Sequence, residues 1–260
     1  MATNELLLMK SGPVARWSLN RPEAMNALNL PLVEAFEAAM DDAEMDDATR
    51  VIVVTSAGPV FCAGADLKDA LASPPLDGKG DFLARASAMM NRLRQFPKPV
   101  IAALNGTTMA GGLELAMCAD VIIAADGIKI ADAHANFGVF PGAGGAAILP
   151  RLIPAQTAMY MLLTGRSLSA QRLFDLGLIA ELHPAEKLAE ATQALAEQIA
   201  AKSPGALRRM KAVARTSSDT TAQEALLHEG QQLREHLASE DFREGLQAFT
   251  EKRAPVFTGR

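Results

Sequence analysis

Cysteine is scarce: Cys62 and Cys118 are the two in 260 residues, and neither sits in a metal-type spacing. So few thiols fit a reducing compartment. Histidine is sparse too, and His134, His183, His228 and His236 are too scattered for a zinc cluster. No apolar run approaches the roughly 18 residues of a membrane span. The longest runs, 51–54 and 121–123, are the length of strands. The N-terminus shows no secretory signal, because its short apolar run, 6–9, follows Glu5 rather than a basic stretch. Basic charge is also in deficit: 25 Lys and Arg against 30 Asp and Glu leave a net charge of −5. That argues against nucleic acid as a partner. It does not argue against an anionic ligand, because local fields and backbone N–H groups decide that. These absences predict a cytoplasmic protein with no membrane, nucleic-acid or metal partner.

What is present is an ordinary soluble composition, 49% hydrophobic and 21% charged, which excludes a wholly disordered chain. A chain of this length buries roughly 70–75% of its unfolded surface and needs no staples. The first half alternates strand and helix signals. Residues 5–10 and 15–20 read as strands, 30–43 as a helix with Leu32, Phe36 and Met40 on one face, and 51–55 as a buried strand. Residues 58–79 read as loop with a turn at 73–75, 81–95 as helix, 100–104 as strand, 111–119 as a short helix and 121–125 as strand. From about 145 the pattern is helical, over 154–164, 169–176, 184–202, 203–214, 221–238 and 240–252, with Pro154 and Pro184 suited to first helical positions. The order predicts an α/β core followed by helices.

Four stretches invite a reading beyond structure. Residues 20–28 leave a strand through Asn20-Arg21-Pro22 and enter a helix, which alone is a connector. Residues 61–68 follow the 51–55 strand with small residues, so a free Ala65 N–H is placed to meet a ligand oxygen, unless the loop merely caps a helix. In 105–115, Gly111 and Gly112 open a helix with unpaired N–H groups, and Glu114 stands three residues on, on the same face. That pairing suits a site where N–H groups hold an oxyanion and a carboxylate moves a proton; the alternative is a carboxylate favouring the first helical turn. The last stretch holds Asp132, His134 and the Gly-rich run 141–145, which would cradle phosphate or a polar ligand but is neither a Walker loop nor a dinucleotide fingerprint. His134 is either a titrating group or a structural one. No His or Asn near Cys62 marks it as an activated nucleophile.

Taken in order, these stretches resemble the crotonase superfamily, the enoyl-CoA hydratase/isomerase family. Asn20-Arg21-Pro22 with Asn26-Ala27-Leu28, Phe61 to Lys68, Gly106 to Asp120, Pro141 to Gly145, and the ending from Ser239 to Arg253 are each similar to one of its motifs. The likeness runs from about residue 5 to 260. It implies a spiral of ββα units over 1–200 and a helical region over 201–260 that assembles trimers or pairs of trimers, one continuous domain in all. It implies acyl-CoA thioester ligands, with CoA arriving as part of the substrate and no permanent cofactor. By motif position, Ala65 and Gly111 would supply the oxyanion-hole N–H groups. Met25, Ala27, Ala63, Gly64, Asp66, Leu67, Lys68, Gly112, Pro141 and Gly142 would line the substrate and CoA path. Phe249 and Lys252 would approach the CoA of a neighbouring subunit. Glu114 matches the first of two glutamates that activate water in the family's hydratases. The second position is His134, with Asp132 nearby and on the same face if the segment is extended.

The expected reaction is hydration of 2-enoyl-CoA by Glu114 assisted by His134. Enoyl-CoA isomerisation, acyl-CoA hydrolysis, and non-catalytic acyl-CoA or RNA binding are the alternatives. Acyl-chain length is left open, with 70–82 as a candidate pocket lining.

Overall fold

The protein, seen as a computed structural model, is described over residues 5–72 and 82–260. The 73–75 turn, the first residue of the 81–95 helix and most of the 70–82 segment lie outside the described residues.

The chain begins with an antiparallel hairpin, β1 (Leu6–Ser11) and β2 (Val14–Leu19). A single 3-10 turn at Pro22–Ala24 leads to α1 (Leu30–Met45), whose start is capped by Asn29: its side chain accepts the Leu32 N–H at 3.0 Å. The spacing-four set Leu32, Phe36 and Met40 is buried, as its periodicity predicts.

A repeated unit then sets the architecture. β3 (Val51–Ser56) is followed by β4 (Val60–Cys62), β5 (Val100–Leu104) by β6 (Thr107–Met109), and β7 (Val121–Ala125) by β8 (Lys129–Ala131). The first member of each pair joins the large sheet, parallel apart from the β1–β2 hairpin at its edge, and the second joins a small one. Helical segments close each turn. These are α2 (Leu67–Ala72) and α3 (Phe82–Arg94), then α4 (Gly111–Ala116), then a 3-10 turn at His134–Phe137 with α5 (Leu149–Leu152) and α6 (Ala155–Thr164). β9 (Leu168–Ser169) pairs antiparallel with β8, and α7 (Ala170–Asp175) follows. β10 (Glu181–His183) completes the large sheet beside β7. The expected ββα spiral is what the chain forms.

β3 is apolar on both faces because both are covered. Ile52 and Val54 join Trp17, Phe36 and Phe96 in one core, while Val51 and Val53 meet Leu188, Ala196 and Ala200 of α8 (Leu188–Ala200). Phe36 and Phe96 stand edge-on to Trp17 with centroids 6.1 Å away. The chain ends in α9 (Pro204–Ser217), α10 (Ala222–Leu237) and α11 (Glu240–Glu251), the helical region expected from the sequence. Asp241 ties these to the tail, accepting the Ser203 hydroxyl at 2.6 Å and the Thr258 N–H at 2.8 Å.

Three expectations are corrected. The 58–79 stretch is not all loop, because it holds β4 and α2. Pro154 is the residue before α6 rather than its first. Pro184 lies in a turn before α8, where its carbonyl accepts the Lys187 and Leu188 N–H groups.

Candidate active site

The four stretches meet at the ends of the small sheet's strands. The first two run alongside each other: Ala63 N–H donates to Met25 O at 3.1 Å, Leu28 N–H to Gly64 O at 2.8 Å, and Asp66 N–H to Leu28 O at 2.7 Å. Arg21 clamps the pair, donating to Ala27 O and meeting Asp66 Oδ2 at 3.1 Å. Met25 and Asn26 both adopt positive φ, a strained choice for residues with side chains. Asn26 holds it: fully buried, it accepts the Arg21 N–H at 2.7 Å and donates to Ala57 O at 2.8 Å and Val60 O at 2.7 Å.

The third stretch lies against the second. β6 pairs with β4, and α4 starts where the chain leaves β6. Ala110 turns the chain with φ 49 and ψ −122; its own N–H donates to Ala131 O at 3.0 Å, and its carbonyl accepts from Leu113 and Glu114. Gly111 then faces Ala65. A Cβ built on Gly111 would lie 3.4 Å from the Ala65 nitrogen. Neither the Ala65 nor the Gly111 N–H has an acceptor among the described residues. Two free donors therefore stand side by side at the start of a helix. Gly112 is required for that approach, because a Cβ there would come within 2.2 Å of Cys62 O.

The fourth stretch closes around Glu114 of the third and adds two further titratable groups, Asp132 and His134. Glu114 is 3% exposed, and its Oε1 accepts the Ala143 N–H at 2.7 Å and the Gly145 N–H at 2.9 Å. The other oxygen, Oε2, stands 3.7 Å from His134 Nε2. His134 Nδ1 meets Asp132 Oδ1 at 2.8 Å. The segment is not extended: Ala133 takes a left-handed φ of 59 and His134 opens a 3-10 turn, yet the two side chains still meet. The Gly-rich run thus serves differently from a phosphate cradle. The N–H groups of Ala143 and Gly145 hold the protein's own carboxylate.

Burial disfavours a charged His134, but the Asp132 hydrogen bond and the Asp132 and Glu114 charges outweigh it, so its pKa lies above the ordinary 6.5. Burial pushes the Cys62 thiol up to about 12 and the Cys118 thiol up to about 11, which leaves neither as a thiolate. Among the described residues no group of three or more His, Cys, Asp or Glu has a metal-holding arrangement.

The sequence matches the enoyl-CoA hydratase/isomerase family over residues 10–260. It is 35% identical to a probable enoyl-CoA hydratase of Mycobacterium bovis over all of both chains. It is 35% identical to the 2,3-dehydroadipyl-CoA hydratase of Escherichia coli, covering 99% of this chain and 100% of that one. The fold superimposes on an enoyl-CoA hydratase from Bacillus anthracis with a TM-score of 0.94 at 34% identity, covering 99% of this chain and 100% of the other. The chain belongs to the enoyl-CoA hydratase/isomerase family.

Several other positions implied by the resemblance lie near these groups. Leu67 and Lys68 are exposed at the start of α2, and the Lys68 N–H donates to Asp66 Oδ1 at 3.1 Å. Gly64, with φ 108, packs so closely that a Cβ would meet the Ala110 Cβ at 2.9 Å. Gly142 is exposed next to Pro141 and receives the Ser87 hydroxyl at 2.9 Å. Phe249 and Lys252 lie apart, exposed at the end of α11, with no recorded bond to the four stretches among the described residues. Two open cavities, of about 560 Å³ between α9 and the core and about 460 Å³ between α9 and α10, contain none of these residues.

One supporting residue carries no local signal. Arg94, at the end of α3, donates to Ala143 O at 2.7 Å and so braces the strand of loop that holds Glu114. Its role comes from a tertiary contact across 49 residues, which no motif or periodicity marks.

Two predictions follow from this geometry. Gly112→Ala should cost about 3 kcal/mol or more through the clash with Cys62 O, whereas Gly142→Ala, with open space around it, should change stability by less than about 0.5 kcal/mol. Urea unfolding of both variants checks this, and equal effects would contradict it. The raised His134 pKa sets the sign of a pH effect. Its contribution is fully present below the ordinary 6.5 and is lost as pH rises through the higher folded-state value. The stability gap between the wild type and His134→Gln should therefore be widest below 6.5 and narrow above it. A gap independent of pH would contradict the assignment.

Proposed function

We propose that this family member hydrates a 2-enoyl-CoA to the 3-hydroxyacyl-CoA. The observation that carries the reading is the divided Glu114 carboxylate: one oxygen anchored by two N–H groups, the other turned toward His134, on the helix that begins with Gly111. The E. coli relative's name describes it as a hydratase.

In this reading the thioester carbonyl accepts from Ala65 and Gly111. As water attacks C3, negative charge builds on that oxygen, and one such donor lowers the barrier by about 3–4 kcal/mol. Glu114 Oε2 takes a proton from the water and its hydroxyl bonds to C3. The protonated His134 gives its Nε2 proton to C2, which consumes the enolate. The proton on Glu114 then passes to His134, and both groups are restored with one water added. The raised His134 pKa suits the acid role near neutral pH. No resident cofactor enters, because CoA arrives on the substrate. The paired backbone of Met25, Ala27, Ala63, Gly64 and Asp66, with Leu67, Lys68, Gly112, Pro141 and Gly142, forms the path for CoA and acyl chain.

The second reading is double-bond isomerisation or thioester hydrolysis on the same groups, favoured by His134 standing where the resemblance implies a glutamate. We further propose that residues 201–260 assemble copies of the chain into trimers or pairs of trimers, bringing Phe249 and Lys252 to a neighbour's CoA. Supporting this, α9 and α10 bury no residue of their own, and Met210, Leu226, Leu227 and Leu233 are more than half exposed. Among the described residues no helix is long and apolar enough to cross a membrane, so these faces are not spans.

Incubation with crotonyl-CoA and a medium-chain 2-enoyl-CoA, read by mass spectrometry, should give a water adduct; a shifted double bond or free CoA would overturn hydration. Glu114→Gln keeps an oxygen for the Ala143 and Gly145 N–H groups but accepts no proton. It should lower kcat about a hundredfold or more while leaving acyl-CoA affinity intact. Light scattering should return three or six times the chain mass, and a monomer would sink the assembly.

A further inference from the structure

We infer that Asp132 is a positioning residue for His134: it accepts the Nδ1 proton, fixes the imidazole with Nε2 facing Glu114, and keeps a transferable proton on that nitrogen near neutral pH. The inference rests on the proposed roles of Glu114 and His134 and adds the group that governs them. Asp132 touches no reacting atom and acts through the ring.

The geometry supports it from several sides. The Oδ1–Nδ1 separation of 2.8 Å is that of a strong hydrogen bond. With Nδ1 so engaged, Nε2 is the nitrogen left to face Glu114 Oε2. The backbone is bent to allow this contact: Ala133 holds a left-handed φ of 59, and the His134 N–H donates to Asp132 O at 2.8 Å. A left-handed alanine costs on the order of a kcal/mol or more, a strain that needs a reason. The charged groups facing the imidazole are Asp132, from its own turn, and Glu114, from α4.

Asp132 is also poorly explained as mere structure. It is 1% exposed, and its Oδ2 has no hydrogen-bond partner among the described residues. A half-satisfied buried carboxylate is unfavourable for stability alone. Opposite a cationic ring it has a function. Gly145 makes the space: a Cβ there would lie 2.5 Å from Asp132 Oδ2, while the Gly145 N–H donates to Glu114 Oε1. One glycine therefore accommodates both carboxylates that flank His134.

The test uses full-length protein with 15N-labelled histidine, with His134→Gln to assign the ring. In the wild type the neutral His134 should carry its proton on Nδ1. In Asp132→Asn its titration should move down by a unit or more, a change of about tenfold or more in proton affinity. The pH profile of kcat on crotonyl-CoA should shift the same way, with kcat about tenfold or more lower and KM within about twofold. A proton on Nε2 in the neutral wild type, or an unmoved titration in Asp132→Asn, would overturn the inference. The tautomer is read on the wild type, so it decides the matter even if the variant does not fold. If tautomer and titration behave as expected but crotonyl-CoA gains no water, the proposed reaction fails and the positioning role stands.

Discussion

The site depends on how one buried carboxylate is held. Glu114 lies almost wholly out of water, where an unpaired charge would cost several kcal/mol or change its protonation. The Ala143 and Gly145 N–H groups satisfy one oxygen. The second oxygen is left with a direction but no backbone partner, which is the condition for a group that must exchange a proton. Other features keep that arrangement in register. Gly112 lets α4 sit against Cys62, and Arg94 donates to the Ala143 carbonyl, in the peptide that follows the Ala143 N–H.

Backbone strain gathers in the same region, with Lys252 at the end of α11 as the exception. The described non-glycine residues with positive φ are Met25, Asn26, Ala110, Ala133 and Lys252. The first two shape the segment paired with Ala63 and Asp66, Ala110 precedes Gly111, and Ala133 separates Asp132 from His134. Each costs on the order of 1–3 kcal/mol and persists only where neighbours over-determine it. Asn26 does this with three side-chain hydrogen bonds, and Ala110 with bonds from both sides of its peptide. Such strain is consistent with a preorganised site, whose donors need no rearrangement when charge develops.

Much of this was legible in the sequence, and the remainder was hidden for physical reasons. α1 shows a clear spacing of four because it buries a stripe, and β3 shows an unbroken apolar run because it buries both faces. β4, β6, β8 and β9 are two or three residues long, too short to display an alternation, so the small sheet had no signal of its own. Ala65, Gly111 and Glu114 stood out because glycine, a helix start and a carboxylate rarely coincide without a reason. The use of the Gly-rich run could not be read, since a loop that cradles phosphate and one that holds a carboxylate offer the same N–H groups. The Asp132–His134 contact depends on a left-handed Ala133, and alanine does not advertise that conformation.

The exchange of a glutamate for His134, implied by the family resemblance, changes the electrostatics more than the shape. Two unit charges about 4 Å apart interact by about 4 kcal/mol at an effective dielectric of about 20. Two carboxylates at that distance repel, and one must hold a proton before the pair is comfortable. A carboxylate and an imidazolium attract, so the proposed base and acid could both stand in their working charge states at once. The centre then needs a counter-ion on the far side of the ring to keep the imidazolium favourable despite burial, and Asp132 occupies that position. In the proposed function, the spiral and the paired N–H donors would serve any reaction through a stabilised thioester oxyanion. Which reaction follows would then be decided by a few atoms in the first turn of α4 and at Asp132 and His134.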